Sequence, residues 1–381
     1  MKYKDLENEW SQQWFQFITD NINKDWNWDK LSQNPNITWD IVKSNTDKPW
    51  NWEELSEHPN ITWDIIQNNP NKPWEWSNIS SKQNITWDII QQNPDKEWNW
   101  VEVSQNPNIT WDIVKSDPDK PWDWDLLSTN PNITWDIVEA NPDKPWSDDY
   151  LSKNPNITPD IIKSNSTRDW DWDFLSSNPN ITWDIVEANL DKPWYWEELS
   201  EHPNITWDII QQNPDNPWDW YWISANPNIT WEIIQQNPDN PWDWSQISAH
   251  PNITWDIIKD NPHKPWDVTG TGANPNITCE IILANPDWGW CPSADDNPDW
   301  DWCWMSHNTN ITCEFIQDNI DKDWVWDYLS DNKMELGKKR WLHQRRLKHI
   351  KAFQIQKHWR NCSCNPEYKL AQRCLLRLHE S

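Results

Sequence analysis

Asn60-Ile61-Thr62-Trp63-Asp64-Ile65-Ile66 decides the fold, because this sequence motif recurs every 24 residues along most of the chain. The isoleucine after asparagine recurs at constant spacing and then once more after ten extra residues, at Ile37, Ile61, Ile85, Ile109, Ile133, Ile157, Ile181, Ile205, Ile229, Ile253, Ile277 and Ile311. Repetition at one fixed spacing is typical of a solenoid, in which each unit buries its apolar face only against its neighbours. The sequence therefore predicts one extended repeat domain rather than several globular ones.

Each unit starts a short helix at a defined residue. Thr62 is a good N-cap because its hydroxyl can accept a hydrogen bond from a backbone N–H of the first turn. Ile61 before it can pack on Ile66 as a hydrophobic staple. In one unit Pro159 replaces the tryptophan after threonine. Proline is tolerated at the first helical position and is costly further inside, so the helix is predicted to start directly after the threonine.

A second, shorter segment completes the unit. Pro70 ends the first helix by restricting the residue before it, and Trp74-Glu75-Trp76 then leads to Ile79-Ser80. So few residues allow one or two turns, for which 3₁₀ geometry is a candidate.

The predicted fold class is thus all-α, an α/3₁₀ helical solenoid of about thirteen 24-residue repeats with a C-terminal basic helical tail. Stacked at ordinary helix spacing, the units would form a rod on the order of 100 Å long. The predicted divisions are an N-terminal capping unit at 1–25, the solenoid at 26–332 with a ten-residue insertion near 287–299, and the tail at 333–381.

Invariant polar slots predict ladders of hydrogen bonds along the solenoid. A serine follows the leucine slot in almost every unit, and its hydroxyl is expected to bond a helix carbonyl. The asparagine before the repeated isoleucine is expected to satisfy loop backbone groups of a neighbouring unit; a row of asparagines that contacts a ligand is the alternative. These asparagines are Asn36, Asn60, Asn84, Asn108, Asn132, Asn156, Asn180, Asn204, Asn228, Asn252, Asn276 and Asn310.

Three tryptophan slots supply most of the apolar area. The chain has 41 Trp, and each buries roughly 150–250 Å² when packed. The first Trp of the Trp-x-Trp pair never varies, which predicts a core position, whereas the second tolerates Asp148 and Val268. Core packing is the expected role, and stacking of sugars or bases on an exposed Trp row is the alternative.

These slots resemble two known groups of proteins. The pattern Asn-Pro-Asn-x-Thr/Pro-x-Asp/Glu-Ile-Ile over residues 13–332 resembles the leucine-rich variant repeat, which implies one α-helix and one 3₁₀ helix per unit in a curved right-handed solenoid. The chain is also similar to Trp-rich repeat proteins of mimivirus-like giant DNA viruses. The features that carry this resemblance are the motif Asn-Pro-Asn-Ile-Thr-Trp-Asp-Ile-Ile, the motif Lys-Pro-Trp-Asn-Trp, and the tail segments 355–360 and 365–370. That resemblance implies a viral protein of undefined biochemistry.

Composition argues against several functional classes. Four glycines in 381 residues provide no Gly-rich loop for a nucleotide, and no catalytic Ser/His/Asp set is evident, so we expect neither an enzyme nor a cofactor. No cysteine precedes Cys279, which fits a reducing compartment. The N-terminus lacks the apolar core of a signal peptide, and no run is long enough to span a membrane. Host cytoplasm or a virion, without secretion, is therefore the expected location.

Charge divides the chain into two parts. Residues 333–381 carry 13 Lys/Arg and 3 Asp/Glu, hence +10, which leaves −39 on residues 1–332. The acidic residue at the second helical position recurs in every unit and can stabilise the helix N-terminus. As a stripe it can also capture a basic partner. The candidate partner-binding residues on the solenoid are Asp40, Asp64, Asp88, Asp112 and Asp136, and those on the tail are Arg340, Arg345, Arg346, Ile355, Gln356 and Arg360.

The tail has several open interpretations. It is predicted to be a basic, moderately amphipathic helix that docks on the acidic solenoid, contacts nucleic acid or an anionic membrane surface, or binds a calmodulin-like protein. Ile355-Gln356 with Arg360 resembles an IQ motif, although Asn361 stands where that motif usually has glycine. Metal binding by the groups Cys279–Cys313 and Cys362–Cys374 remains open, because the spacings differ from those of zinc sites.

The expected function is a non-enzymatic scaffold for protein–protein interaction with a partner of unknown identity. Positions that vary between units, such as Lys43-Ser44 against Gln91-Gln92 and Glu139-Ala140, would make its contacts. A virion structural or self-assembling component is one alternative. Attachment to nucleic acid or a calmodulin-like partner through the tail is the other.

Overall fold

The computed structural model describes residues 3–285 and 302–364, and these residues form helices and turns without a strand. The insertion predicted near 287–299 lies outside the described residues. The helices are α1 (Tyr3–Asp20), α2 (Trp28–Gln33), α3 (Trp39–Ser44), α4 (Trp52–Glu57), α5 (Trp63–Asn68), α6 (Trp76–Ser81), α7 (Trp87–Gln92), α8 (Trp100–Gln105), α9 (Trp111–Ser116), α10 (Trp124–Thr129), α11 (Trp135–Ala140), α12 (Asp148–Lys153), α13 (Pro159–Ser164), α14 (Trp172–Ser176), α15 (Trp183–Glu187), α16 (Trp196–Glu201), α17 (Trp207–Gln212), α18 (Trp220–Ala225), α19 (Trp231–Gln236), α20 (Trp244–Ala249), α21 (Trp255–Asp260), α22 (Val268–Ala273), α23 (Cys279–Ala284), α24 (Trp302–Met305), α25 (Cys313–Asp318), α26 (Trp326–Asp331) and α27 (Glu335–Cys364).

Two short helices form each unit, as the repeat predicts. The odd-numbered helices from α3 to α25 start directly after the threonine, and α13 has Pro159 at its first position, which confirms the predicted start. Thr38 accepts the capping bond from the Ile41 N–H, but Thr62 makes no side-chain capping bond. The even-numbered helices are α-helical, so the 3₁₀ expectation is wrong for them. An asparagine or aspartate N-cap such as Asn51 or Asp123 accepts backbone N–H groups and stabilises these short α-helices.

The solenoid closes on itself. The last even-numbered helix, α26, packs against the first, α2, as other successive even-numbered helices pack on one another. The Asn27 N–H donates to the Ser330 hydroxyl at 2.9 Å across this seam. Asn34 donates to the carbonyls of Ser330 at 3.0 Å and Asn332 at 3.2 Å. The predicted open rod of about 100 Å is therefore wrong, because thirteen units complete a full circle with about 28° of rotation per unit.

Ladders of hydrogen bonds run around this ring. Ser128 donates to the Trp124 carbonyl at 2.7 Å and accepts the Ser147 N–H of the next unit at 3.1 Å. Asn132 donates to the carbonyls of Pro107 at 2.7 Å and Ile109 at 3.0 Å in the preceding unit. The same kind of bond crosses the seam, where Asn36 donates to the Lys333 carbonyl at 3.0 Å. Most of the twelve predicted asparagines make such bonds with neighbouring backbone.

A further ladder, fully buried, was not predicted. Asn130, two residues before the predicted slot, donates to the Ser104 and Asn106 carbonyls at 2.9 and 3.1 Å, and it accepts the Asn132 N–H at 2.9 Å. Where this residue is not asparagine it is a histidine or a lysine, each of which carries an N–H donor. Lys82, for example, donates to the His58 carbonyl at 2.7 Å. This slot therefore requires a hydrogen-bond donor.

Tryptophan pairs fill the space between units. Trp100 and Trp122 meet edge to face with ring centroids 5.3 Å apart, a geometry that stabilises beyond the area buried. The seam uses the same contact between Trp326 and Trp26, at 4.9 Å. The indole N–H of Trp122 donates to the Asp117 carbonyl, so this buried polar group is satisfied.

The even-numbered helices lie on the inside of the ring. Successive even-numbered helices approach each other more closely than successive odd-numbered ones, and in a closed ring the closely spaced set must lie at the smaller radius. We call α2, α4 and the even-numbered helices up to α26 the inner helices, and α1, α3 and the odd-numbered helices up to α25 the outer helices. Thirteen inner helices at about 8–10 Å spacing trace a circle about 33–41 Å across. Subtracting one helix diameter of about 10–12 Å leaves a channel of about 25 Å between the described residues.

Both chain ends meet at the seam. The N-terminal unit, predicted as a cap, places Asn21 against Gln317 of α25 at 3.3 Å. The long helix α27 packs on α1, with the Trp10 and Trp341 rings 6.0 Å apart. Gly337 lies so close to Trp10 that an added Cβ would be 3.3 Å from its ring. A basic helix is thus docked over the junction of the first and last units.

Three histidines of the buried ladder predict a dependence of stability on pH. His58, His202 and His250 each place Nε2 by a carbonyl of the preceding unit and accept a backbone N–H at Nδ1, as His58 does from Asn60. Burial lowers the pKa of all three, and the hydrogen bond between Nε2 and the carbonyl of the preceding unit partly offsets this shift. Below about pH 6.5 the unfolded chain therefore takes up protons that the folded chain refuses, and folding stability falls with falling pH.

We expect this loss to reach up to about 1.4 kcal/mol per histidine at pH 5.5. Replacing all three with asparagine, the usual residue of the slot, should flatten the stability profile between pH 7.5 and 5.5. Urea unfolding of both proteins across that range measures the difference. If the two proteins lost stability in parallel as the pH fell, the three imidazoles would not be the cause of the pH dependence.

Candidate functional site

The inner surface of the ring is where the units differ most. In most inner helices the fourth and fifth residues, such as Leu127 and Ser128, are buried, whereas the second, third and sixth positions face away from the core; in α22 the third residue, Gly270, is buried as well. These three positions read Glu-Glu-Glu in α4, Ser-Asn-Ser in α6 and Tyr-Trp-Ala in α18. Neighbouring inner helices meet through them, as Lys30 of α2 does with Asp327 of α26 at 2.5 Å. They form one continuous lining of the channel, which we call the channel surface.

Carboxylates dominate the channel surface. Its only lysines among the described residues are Lys30 and Lys153. The acidic residues at the same positions are Asp29, Glu53, Glu54, Glu57, Glu102, Asp125, Asp149, Asp173, Glu197, Glu198, Glu201, Asp327 and Asp331. Burial together with the neighbouring Glu198 raises the pKa of Glu201, the direction expected where carboxylates crowd one another. A concave wall of one charge sign concentrates the field inside the channel.

Aromatic residues break this acidic lining on one arc. Tyr221 and Trp222 of α18 meet edge to face at 5.1 Å, and Tyr221 is exposed. In the preceding unit the exposed Tyr195 donates its hydroxyl to Glu197 at 2.7 Å. That bond, with the charge of Glu197, raises the pKa of Tyr195. Here carboxylates lie beside accessible rings, and we call Tyr195, Glu197, Glu198, Tyr221 and Trp222 the aromatic–acidic patch.

A second aromatic cluster on the channel surface already holds a cation. The Lys153 ammonium lies 3.5 Å from the Phe174 ring centroid and 5.8 Å from that of Tyr150. Cations over aromatic faces gain about 0.5–2 kcal/mol. The contact shows that the channel surface can hold a positively charged side chain.

The acidic residues predicted as a partner-binding stripe lie elsewhere, on the outer helices. All five are exposed at the second position of their helices, at Asp40, Asp64, Asp88, Asp112 and Asp136. Asp40 pairs with Lys43 and Asp112 with Lys115 on the same helix, and exposed pairs of this kind contribute little. The structure therefore offers two separate acidic surfaces, one outside the ring and one inside.

The lysines in the turns pack against tryptophan rings of the neighbouring unit. Lys72 lies over the Trp52 ring at 5.2 Å, and Lys120 lies over Trp100 at 5.4 Å. Lys24 repeats the contact across the seam over Trp326 at 5.2 Å. These cations pack against the preceding unit, and they do not enter the channel surface.

The candidate residues of the tail fall into two groups. Arg340 donates both guanidinium nitrogens to Glu280 of α23, which lowers the pKa of that carboxyl to about 2. Arg345 lies 3.4 Å from Glu9 of α1. Further along α27, Arg346, Ile355 and Gln356 are exposed, and Arg360 lies on the same helix beyond the described side chains. The start of the tail thus contacts acidic residues of the ring, while Arg346, Ile355 and Gln356 remain exposed.

The cysteines do not come together as a metal site among the described residues. The Cys279 thiol donates to the Asn310 carbonyl at 3.3 Å, and Cys313 contacts the Met334 sulfur at 3.2 Å. Burial raises the pKa of both thiols, which opposes the thiolate form that zinc requires. The other predicted group, Cys362–Cys374, lies outside the described side chains.

The channel surface was not predicted, because the variable positions expected to make contacts, such as Lys43-Ser44, lie on the outer helices. Its signal in the sequence is the contrast between a nearly constant pair of an aliphatic residue and serine and the changing residues before it, as at Val101 and Tyr221 in equivalent helices. In the described parts of the chain no helix is long and apolar enough to cross a membrane. No protein-family model, curated protein or solved structure matches this chain. Its function therefore has to be inferred from the surfaces of the ring.

Proposed function

We propose that the protein is a non-enzymatic, ring-shaped scaffold that binds a basic polypeptide segment in its channel. The observation that carries this proposal is the channel surface, where thirteen carboxylates face two lysines. The exposed rings of Tyr195 and Tyr221 add apolar contact and accept cations. A basic, partly aromatic or aliphatic peptide is the ligand whose chemistry matches these groups.

The size of the channel supports the same partner. An α-helix of about 10–12 Å with its side chains fits within a width of about 25 Å. Duplex DNA meets the wrong sign of charge, because the carboxylates of the ring repel phosphates. The outer variable positions first predicted as contacts, such as Lys43-Ser44, are not needed for this mode of binding.

A pair of charge variants tests the proposal. Replacing Glu53, Glu54, Glu57, Glu197, Glu198 and Glu201 with glutamine removes six charges from the channel surface. The matched control removes six from the outer helices, with Asp40, Asp64, Asp88, Asp112, Asp136 and Asp160 replaced by asparagine. We expect the channel variant to bind an oligolysine peptide of about ten residues about 30-fold more weakly than wild type, because opposite charges enclosed by one wall act together.

The affinity of the outer variant for the peptide should fall less than about threefold, since its charges are spread over a convex surface and are screened. Fluorescence anisotropy of the labelled peptide at low salt measures both affinities, and oligoglutamate should not bind. Equal losses in the two variants would mean that only the overall charge attracts the peptide, and the channel would then not be the site.

A virion structural or self-assembling component, predicted from lateral tryptophans and charge stripes, stays a second candidate. Such assembly would use the sides of the ring and not solenoid ends, because the described ladders close within the chain. A viral origin and a place in the host cytoplasm or virion remain predictions from the sequence resemblance alone.

A further inference from the structure

The second half of α27 presents an apolar face that stays largely exposed among the residues that the structure describes. Leu347, Ile350 and Phe353 are between 42% and 65% exposed and recur every three residues. Together with Leu6 of α1, Ile350 and Phe353 line a groove of about 610 Å³. Side chains that cover so much exposed apolar surface on a projecting helix usually mark a docking site.

The start of α27 is held by residues of the outer helices, through Trp341 on Trp10, Arg340 on Glu280 and Arg345 on Glu9. The whole helix is 30 residues long, which is about 45 Å, and residues 346–364 follow the last of these anchors. The exposed side chains after Arg345 are therefore available to a second molecule.

Charge argues against pairing of two such helices with each other. At 100° per residue, Arg346 and Lys357 lie between Ile350 and Phe353, and Lys351 lies beside Leu347. Antiparallel or parallel pairing would bring these like charges together, which costs affinity. The surface of opposite sign that this protein offers is the ring.

We propose that the part of α27 after its last anchor, residues 346–357, docks in the channel of a second copy, with Leu347, Ile350 and Phe353 against the aromatic–acidic patch. The lysines and the arginine of this segment would then meet Glu197, Glu198 and the other channel carboxylates. This inference rests on the proposed function and names the basic partner as the chain itself. The contact is heterologous, because one copy provides the helix and the other the channel, so assembly grows with concentration.

Sedimentation velocity of the full chain is the test. Wild type should self-associate at about 0.05 M salt and dissociate at about 0.5 M, because charged contacts are screened. Replacing Leu347, Ile350 and Phe353 with glutamine should weaken self-association at least about tenfold, since the apolar contact is lost while the charge is kept. In the matched control, three comparably exposed apolar residues outside α27 and outside the channel surface, Ile22, Leu190 and Leu283, are replaced with glutamine. This control should associate like wild type.

Mixing two defective variants distinguishes the geometry. The helix variant keeps an intact channel, and the six-glutamine channel variant keeps an intact helix. Alone, each should stay monomeric, whereas an equimolar mixture should form a dimer that does not grow further. If the mixture stays monomeric, the helix does not use the channel of a second copy. If wild type binds oligolysine but never self-associates, this inference is wrong while the proposed function stands.

Discussion

Replacing Trp26 with alanine should destabilise the protein as much as replacing Trp122, by about 3–5 kcal/mol each. The two indoles are matched: they are 8% and 7% exposed, and each N–H donates to a turn carbonyl at 2.9 Å. Each also meets one Trp of the preceding unit edge to face. For Trp122 that neighbour is Trp100, and for Trp26 it is Trp326, at the other end of the chain.

Only a closed ring makes these two costs equal. In an open solenoid Trp26 would lie at a free end, without Trp326, and its removal would uncover surface that water already reached. Urea unfolding of the two variants, followed by far-UV circular dichroism, measures the costs. If the loss of unfolding free energy at Trp26 were below about half of the loss at Trp122, closure of the ring would be contradicted. Solution scattering typical of an extended rod would contradict it as well.

The unit was predictable because its signals are local. Pro159 located the start of the helix, and the constant serine predicted a bond to a helix carbonyl, which Ser128 makes with Trp124. The same hydroxyl also accepts the Ser147 N–H of the next unit. That second bond could not be foreseen, since it depends on how neighbouring units are placed. The spacing of the repeat predicts the structure of one unit, but it does not predict how the next unit is placed.

Closure was not predictable for the same reason. A rotation of about 28° per unit accumulates over thirteen units, and a small change per unit would give an open spiral with identical slots. The channel surface follows from closure, because Glu53 and Tyr221 become neighbours of one enclosed space only when the inner helices form a circle. As a result, the first interpretation assigned partner binding to Asp40 and its equivalents on the outside.

Changing Asn130 to aspartate should be among the most destabilising single substitutions, although it exchanges one NH₂ group for an oxygen. Asn130 is 1% exposed and donates to the Ser104 and Asn106 carbonyls. Aspartate has no donor when ionised, and its charge would face two carbonyl oxygens without a cation. Breaking a buried polar network in this way costs about 3–5 kcal/mol. Changing Asn130 to histidine should cost less than about 1 kcal/mol, because His58 already fills the equivalent slot with a donor and an acceptor.

Two controls separate the donor requirement from a general intolerance of charge. Asn132 to aspartate removes the same NH₂ group from the half-buried ladder beside it. Because water can solvate that carboxylate, we expect a cost of only about 1–2 kcal/mol. The deficit of the Asn130 variant relative to wild type should also shrink as the pH falls toward 4. A buried carboxyl has a raised pKa and regains one donor when it is protonated. If aspartate and histidine at position 130 were equally stable in urea unfolding, hydrogen-bond donation would not be what selects Asn, His and Lys at this slot, and size alone would remain as the explanation.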